Sequence, residues 1–192
     1  MGRGAKRWER RVRKHFDFLL DHGFAFGGVD DSSFWQTNAT YFSDRLGIEI
    51  ADSREFNRVE IDLIRLDEGR LPKPRIWVTD EPISRTLFDN VLEARRHPSL
   101  SELPTLSSRG VDEQVETWAR LLKEVAPELL RGDDAPIAEA EALVRRRVAK
   151  HPHDMVVWLP HDASDERERA AVADAERDAP EGVTVHVRRY RR

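Results

Sequence analysis

The feature that most restricts what this chain can fold into is a change of hydrophobic period near residue 23. Before it, Trp8, Val12, Phe16 and Leu19 recur at helical spacing, so residues 4 to 21 read as an amphipathic helix that Gly23 stops. After it, from residue 24 to 66, the period falls to two. Leu46, Ile48 and Ile50 alternate with polar residues, as do Val59, Ile61 and Leu63. Each such strand is expected to turn one face to the core and a wetter face outward. Turn residues at Gly27-Gly28, 30–33, Ser43-Asp44 and 52–54 make the segment an antiparallel meander, with Trp35 and Tyr41 on one of its strands.

The rest of the chain is read from its breaks. A Pro-containing loop at 69–74 leads to a short strand at 76–79. A helix is expected from Pro82 to Arg96, then a mobile loop over 99–110, rich in Ser, Pro and Leu. Val111, Val115, Trp118, Leu122 and Val125 mark a strongly periodic helix that Pro127 ends, with Trp118 as its core anchor. Leu129-Leu130-Arg131-Gly132-Asp133 closes a first domain, 1–133. Asp133 and Asp134 start a further helix ending near His151-Pro152. Met155 to Leu159, an Ala-rich helix capped by Ser164, and Val183, Val185 and Val187 then give a β-α-β order, for which parallel strands and a right-handed crossover are the default. The expected fold is α+β: N-terminal helix, antiparallel meander, helical segment, and a C-terminal extension, 134–192, packed on the core.

Composition narrows the function. Hydrophobic residues make up 39% and charged residues 35% of the 192, which suits a folded chain rather than a disordered one. The longest apolar runs, such as 155–159, fall far short of the ~20 residues that span a bilayer, and no membrane association is expected. The basic residues 1–8 are not followed by the apolar run of a secretion signal. With no cysteine to form disulfides, thiolate nucleophiles or metal sites, a cytoplasmic location is expected. A net charge of −4 argues against a surface that coats nucleic acid as a whole, so any basic site must be local.

Few residue patterns carry chemistry. His151, His153 and Asp154 lie at one end of a predicted strand and His161 and Asp162 at the other, ~20 Å apart at ~3.3 Å per residue, so they do not share a metal. Glu60-Ile61-Asp62-Leu63-Ile64 resembles the first acidic motif of small PD-(D/E)xK-type nucleases, which implies a metal-dependent nuclease using Asp62 and Asp80. The following strand, Arg75-Ile76-Trp77-Val78-Thr79-Asp80, lacks the Glu and Lys which that motif needs to hold magnesium and activate water, and Glu60 and Asp62 are otherwise expected to face water. Phosphate-cradling loops, dinucleotide fingerprints and nucleophile elbows are absent from the sequence. No catalytic residue, metal ligand or cofactor is assigned. The basic ends remain: Arg3, Arg7, Arg10 and Lys14 on the outer face of the first helix, and Arg188, Arg189, Tyr190, Arg191 and Arg192 at the C-terminus. These suit an anionic partner, nucleic acid or acidic protein, although the simpler reading is a solvated helix face beside a frayed tail. The tail is expected to be dispensable for folding from Tyr190 onward, because the apolar alternation ends at Val187.

A broader likeness rests on Phe16-x-Phe18-Leu19-Leu20-x-x-x-Gly23-Phe24, a Tyr41-centred strand, Ile48-Glu49-Ile50, Val59-Glu60-Ile61-Asp62-Leu63-Ile64 and Leu129-Leu130-Arg131-Gly132-Asp133. Over residues 12 to 133 the chain resembles a loose class of small uncharacterised bacterial proteins. Some are encoded beside polymorphic toxins and act as immunity proteins. The resemblance implies a non-enzymatic protein that occludes a protein partner; the alternatives are a nucleic-acid-associated accessory protein and the nuclease-like domain.

Overall fold

The computed structural model describes residues 2–31, 36–53, 57–70, 84–101, 103–106, 108–150, 155–160, 164–178 and 185–190. They form two compact units that divide between Leu143 and Val144. The division lies inside a helix whose first turns bury Ile137 and Ala140 in the core of the first unit, whereas the sequence places it at 133/134.

In the first unit, α1 (Arg3–Phe16) continues into a 3-10 turn, Asp17–His22, rather than running unbroken to residue 21. Gly23 closes it at φ 81°, the left-handed stop that glycine adopts without a Cβ clash. Ala5, Trp8, Val12, Phe16 and Leu19 are all buried. This stripe lies against an antiparallel sheet of β1 (Ala25–Asp30), β2 (Gln36–Phe42), β3 (Leu46–Ser53), β4 (Arg58–Arg65) and β5 (Arg85–Leu87), in that order.

Gly27 and Gly28 do not turn the chain. They sit inside β1, where the pairing with β2 slips between Phe26 and Gly28. Gly28 adopts φ 110°, and a Cβ on Gly27 would come within 2.4 Å of the Phe42 ring. A bulge of this kind on an edge strand disturbs the row of free backbone groups that another chain would pair with.

The helix expected from Pro82 begins later, because Arg85, Thr86 and Leu87 first pair with Ile64, Leu63 and Asp62 as β5; α2 is Phe88–Ala94. The expected loop over 99–110 contains a 3-10 turn, Pro98–Ser101, and α3 (Leu103–Leu106), with Leu106 in the core. The apolar side chains at 100, 103 and 106 anchor a segment whose Ser and Pro content suggested mobility. α4 (Val111–Val125) and the start of α5 (Ala135–Lys150) follow as expected. The carboxylate of Asp133 accepts the Ala135 N–H at 2.9 Å, a helix N-cap.

α4 also completes the sheet. Gln114 and Trp118, one turn apart and fully buried, hold both backbone groups of Val59: the Gln114 side-chain oxygen accepts its N–H and the Trp118 indole donates to its carbonyl, each at 2.8 Å. β5 reaches only Asp62, Leu63 and Ile64, so these two side chains satisfy strand groups for which the sheet provides no neighbour.

The second unit contains β6 (Met155–Pro160), α6 (Asp165–Asp178) and β7 (Val185–Tyr190), with β6 and β7 paired in parallel from Met155 opposite Val185 to Pro160 opposite Tyr190. β7 thus runs three residues past Val187. A ladder is made of backbone groups, which Arg188, Arg189 and Tyr190 supply as well as valine does, so the tail expected to be dispensable from Tyr190 onward includes one paired strand residue, Tyr190 opposite Pro160. The strand expected at 76–79 lies outside the described residues.

Candidate functional site: the outer face of the first helix and a charged row on the sheet

α1 carries seven Lys or Arg residues and one carboxylate in fourteen positions, with no acidic residue in its first turn. Two of the cations are tied down. Arg11 reaches Asp112 of α4 at 2.6 Å and holds that carboxyl below its ordinary range. Arg13 pairs with Asp17 at 3.2 Å and Glu9 at 3.8 Å, and its guanidinium lies 5.3 Å from the centre of the Phe26 ring. Lys6, Arg7, Arg10 and Lys14 are exposed and have no ion-pair partner among the described residues. Elsewhere in the first unit Arg58, Arg65, Arg85, Arg95, Arg109 and Arg120 are each bound to carboxylates. Arg45, Arg70, Arg96 and Arg131 are also exposed with no ion-pair partner among the described residues; what sets α1 apart is that four such cations fall on one face of a single helix.

That face is held firmly. The opposite side of α1 is locked in the core, and the Tyr41 hydroxyl donates to Asp17 at 2.8 Å, fixing the turn where the helix ends. Burial and this bond push the Tyr41 phenol well above its ordinary pKa. The arrangement also works against the helix: cations near an N-terminus oppose the macrodipole, and like charges one turn apart repel, each effect costing a few tenths of a kcal/mol to about 1 kcal/mol.

The other basic residues are placed separately. Arg188, Arg189 and Tyr190 belong to β7 of the second unit, opposite Trp158, Leu159 and Pro160. Arg191 and Arg192 lie outside the described residues, as do His151, His153, Asp154, His161, Asp162 and Asp80. Arg3 begins α1.

The second constellation was not visible from sequence. On the sheet face away from α1, β3 is not wet: Gly47, Glu49 and Ala51 are buried along with Leu46, Ile48 and Ile50. Glu49 stands opposite Asp62 of β4. Neither faces water freely, since one nitrogen of Arg85 donates to Glu49 at 2.7 Å and to Asp62 at 3.0 Å. Beside them Arg58 bridges Glu60 and Asp89. Burial pushes Asp62 up to about 6, against the pull of Arg85 and with a further push from Glu49; burial likewise raises Asp89 against Arg58. For the nuclease-like alternative the consequence is direct. The carboxylate that would bind a metal already holds a guanidinium. In sequence Glu49 and Asp62 read as polar positions of two alternating strands, and Arg85, 36 and 23 residues away from them, gives no sign of joining them.

Neither a family model, nor a curated protein, nor a solved structure matches this chain.

Proposed function

We propose that the protein is a non-enzymatic binding protein that covers part of a protein partner, in the manner of an immunity protein, and that it docks through the outer face of α1. The observation that carries this reading is the set of four exposed, unpaired cations, Lys6, Arg7, Arg10 and Lys14, on a helix otherwise locked in place. A rigid, charged face engages a complementary surface without reordering, and complementary charge steers the encounter.

A protein partner is favoured over nucleic acid for three reasons. The aromatic side chains of α1, Trp8 and Phe16, are buried and cannot stack on bases. Glu9 and Asp17 sit among the cations and repel phosphate. The chain as a whole is negative, at −4. A mixed but mainly positive face suits the mixed but mainly acidic surface of a protein.

Reversing all four charges (K6E, R7E, R10E and K14E together) tests the reading. Binding to poly-L-glutamate, the acidic-polypeptide probe, is expected to weaken at least about tenfold, each lost pair contributing up to roughly 1 kcal/mol. The melting temperature should change little, because glutamate at positions 6 and 7 suits the helix dipole while glutamate at position 14, in the last turn, opposes it. Equal binding by the variant sinks the reading. Tighter binding to single-stranded DNA than to poly-L-glutamate, with log affinity falling against log salt by about 0.7 per phosphate contact, favours the nucleic-acid alternative.

A further inference from the structure

We infer that a cleft on the first unit, separate from the face of α1, binds a phosphate monoester. The cleft is formed by the turn between β2 and β3, the end of β4 and the turn that precedes α5, and it shares no lining residue with the groove along α1. Its volume, about 510 Å³, falls within the range of small-molecule sites, roughly 300 to 1,000 Å³.

Arg45, Arg65, Arg131, Asp133 and Asp134 supply its charge. Both carboxylates are already engaged. Asp133 accepts the Ala135 N–H at 2.9 Å, so the start of α5 is capped from within, and Asp134 holds Arg65 at 2.6 Å, with Glu141 on the same guanidinium at 2.8 Å. Glu128, three residues before Arg131, is bound by Arg95 at 3.1 Å. Asp44, beside Arg45 in the chain, is not among the described lining residues. Arg45 and Arg131 are exposed and have no ion-pair partner among the described residues, so the charge left over in the cleft is two guanidinium groups. Their backbones are fixed: the Leu66 N–H donates to the Arg45 carbonyl at 2.7 Å and the Arg131 N–H to the Glu128 carbonyl at 2.9 Å.

Two guanidinium groups call for a dianion. A carboxylate has two oxygens, which one arginine fork occupies, whereas a phosphate monoester carries about −1.5 to −2 charges and three free oxygens, enough for both. Leu46 and Leu66 line the same cleft and offer the organic group of the ester an apolar surface that inorganic phosphate cannot use.

Titration calorimetry of the full-length protein at neutral pH and fixed ionic strength tests this, with phenyl phosphate as the probe and inorganic phosphate and benzoate for comparison. Phenyl phosphate is expected to bind at one site, at least about threefold more tightly than inorganic phosphate and about tenfold more tightly than benzoate. The variant R45Q/R131Q should bind it at least about tenfold more weakly, each exposed charge pair being worth roughly three- to fivefold, at an unchanged melting temperature. Neutralising α1 (K6Q/R7Q/R10Q/K14Q) should leave the affinity within about twofold, since screening confines the loss of those charges to their own face. Undiminished binding by R45Q/R131Q, or loss of binding in the α1 variant, overturns the assignment to this cleft. Inorganic phosphate binding as tightly as phenyl phosphate overturns the ester, benzoate doing so overturns the dianion, and no binding of any of the three overturns the site.

Discussion

Replacing Trp118 by alanine is expected to cost about 3 to 5 kcal/mol of folding stability, read as a shift of the denaturant midpoint at unchanged slope. The indole is 1% exposed and packs edge-on against Phe88 at 6.0 Å between ring centres, so its removal leaves a cavity bounded by helices and sheet. It also leaves the Val59 carbonyl, which accepts the indole N–H at 2.8 Å, without a partner in a dry site, a further penalty of about 1 to 3 kcal/mol where no water enters. Trp118→Phe separates the two effects: it restores most of the volume and none of the hydrogen bond. An alanine variant as stable as the parent contradicts the packing of α4 on β4.

The second large effect concerns charge in the sheet. Asp62→Asn is expected to stabilise the protein above pH 6 by up to roughly 3 kcal/mol, from a folded pKa near 6 against an unfolded value near 3.8. Because the folded carboxyl holds its proton more tightly than the unfolded one, the favourable contribution is complete below about pH 4 and is lost as pH rises to about 6. Asparagine removes that loss while leaving an oxygen for Arg85, which then pairs one-to-one with Glu49. The two proteins should have matching stability near pH 4 and diverge above it. An asparagine variant that is less stable at pH 7.5 shows that the ionised pair with Arg85 outweighs the burial of a second carboxylate.

The parts of this fold that could be read from sequence are those in which one face is apolar and the other is not. α1, α4 and the core-facing residues of β3 and β4 announce themselves by period. Positions that serve two purposes do not. Gly27-Gly28 is equally a turn or a bulge, and the Phe42 ring that decides between them is fifteen residues away. β5 is three residues long, too short for alternation to register. The burial of Glu49 could not be foreseen, because a strand covered on both faces still alternates when its second face is made of Gly, Glu and Ala. Gln114 carries no sign in sequence that it is buried, and its use is clear only where β5 stops short of Val59. For the binding face the residues were legible and their pairing was not: Arg11 and Arg13 look like their neighbours in sequence, and only Asp112, 101 positions away from Arg11, and Asp17 remove them from the free set.

The scarcity of lysine makes the binding face directly measurable. The chain has five lysines, Lys6, Lys14, Lys73, Lys123 and Lys150. A carbodiimide couples a partner's carboxylate to a lysine amine only where the two already touch as an ion pair. With poly-L-glutamate bound at low salt, coupling is predicted at Lys6 and Lys14 and not at Lys123, whose amine lies 4.0 Å from the centre of the Phe18 ring. Polypeptide coupled equally to Lys123, or to Lys73 and Lys150 in place of Lys6 and Lys14, would contradict the assignment of α1 as the docking face.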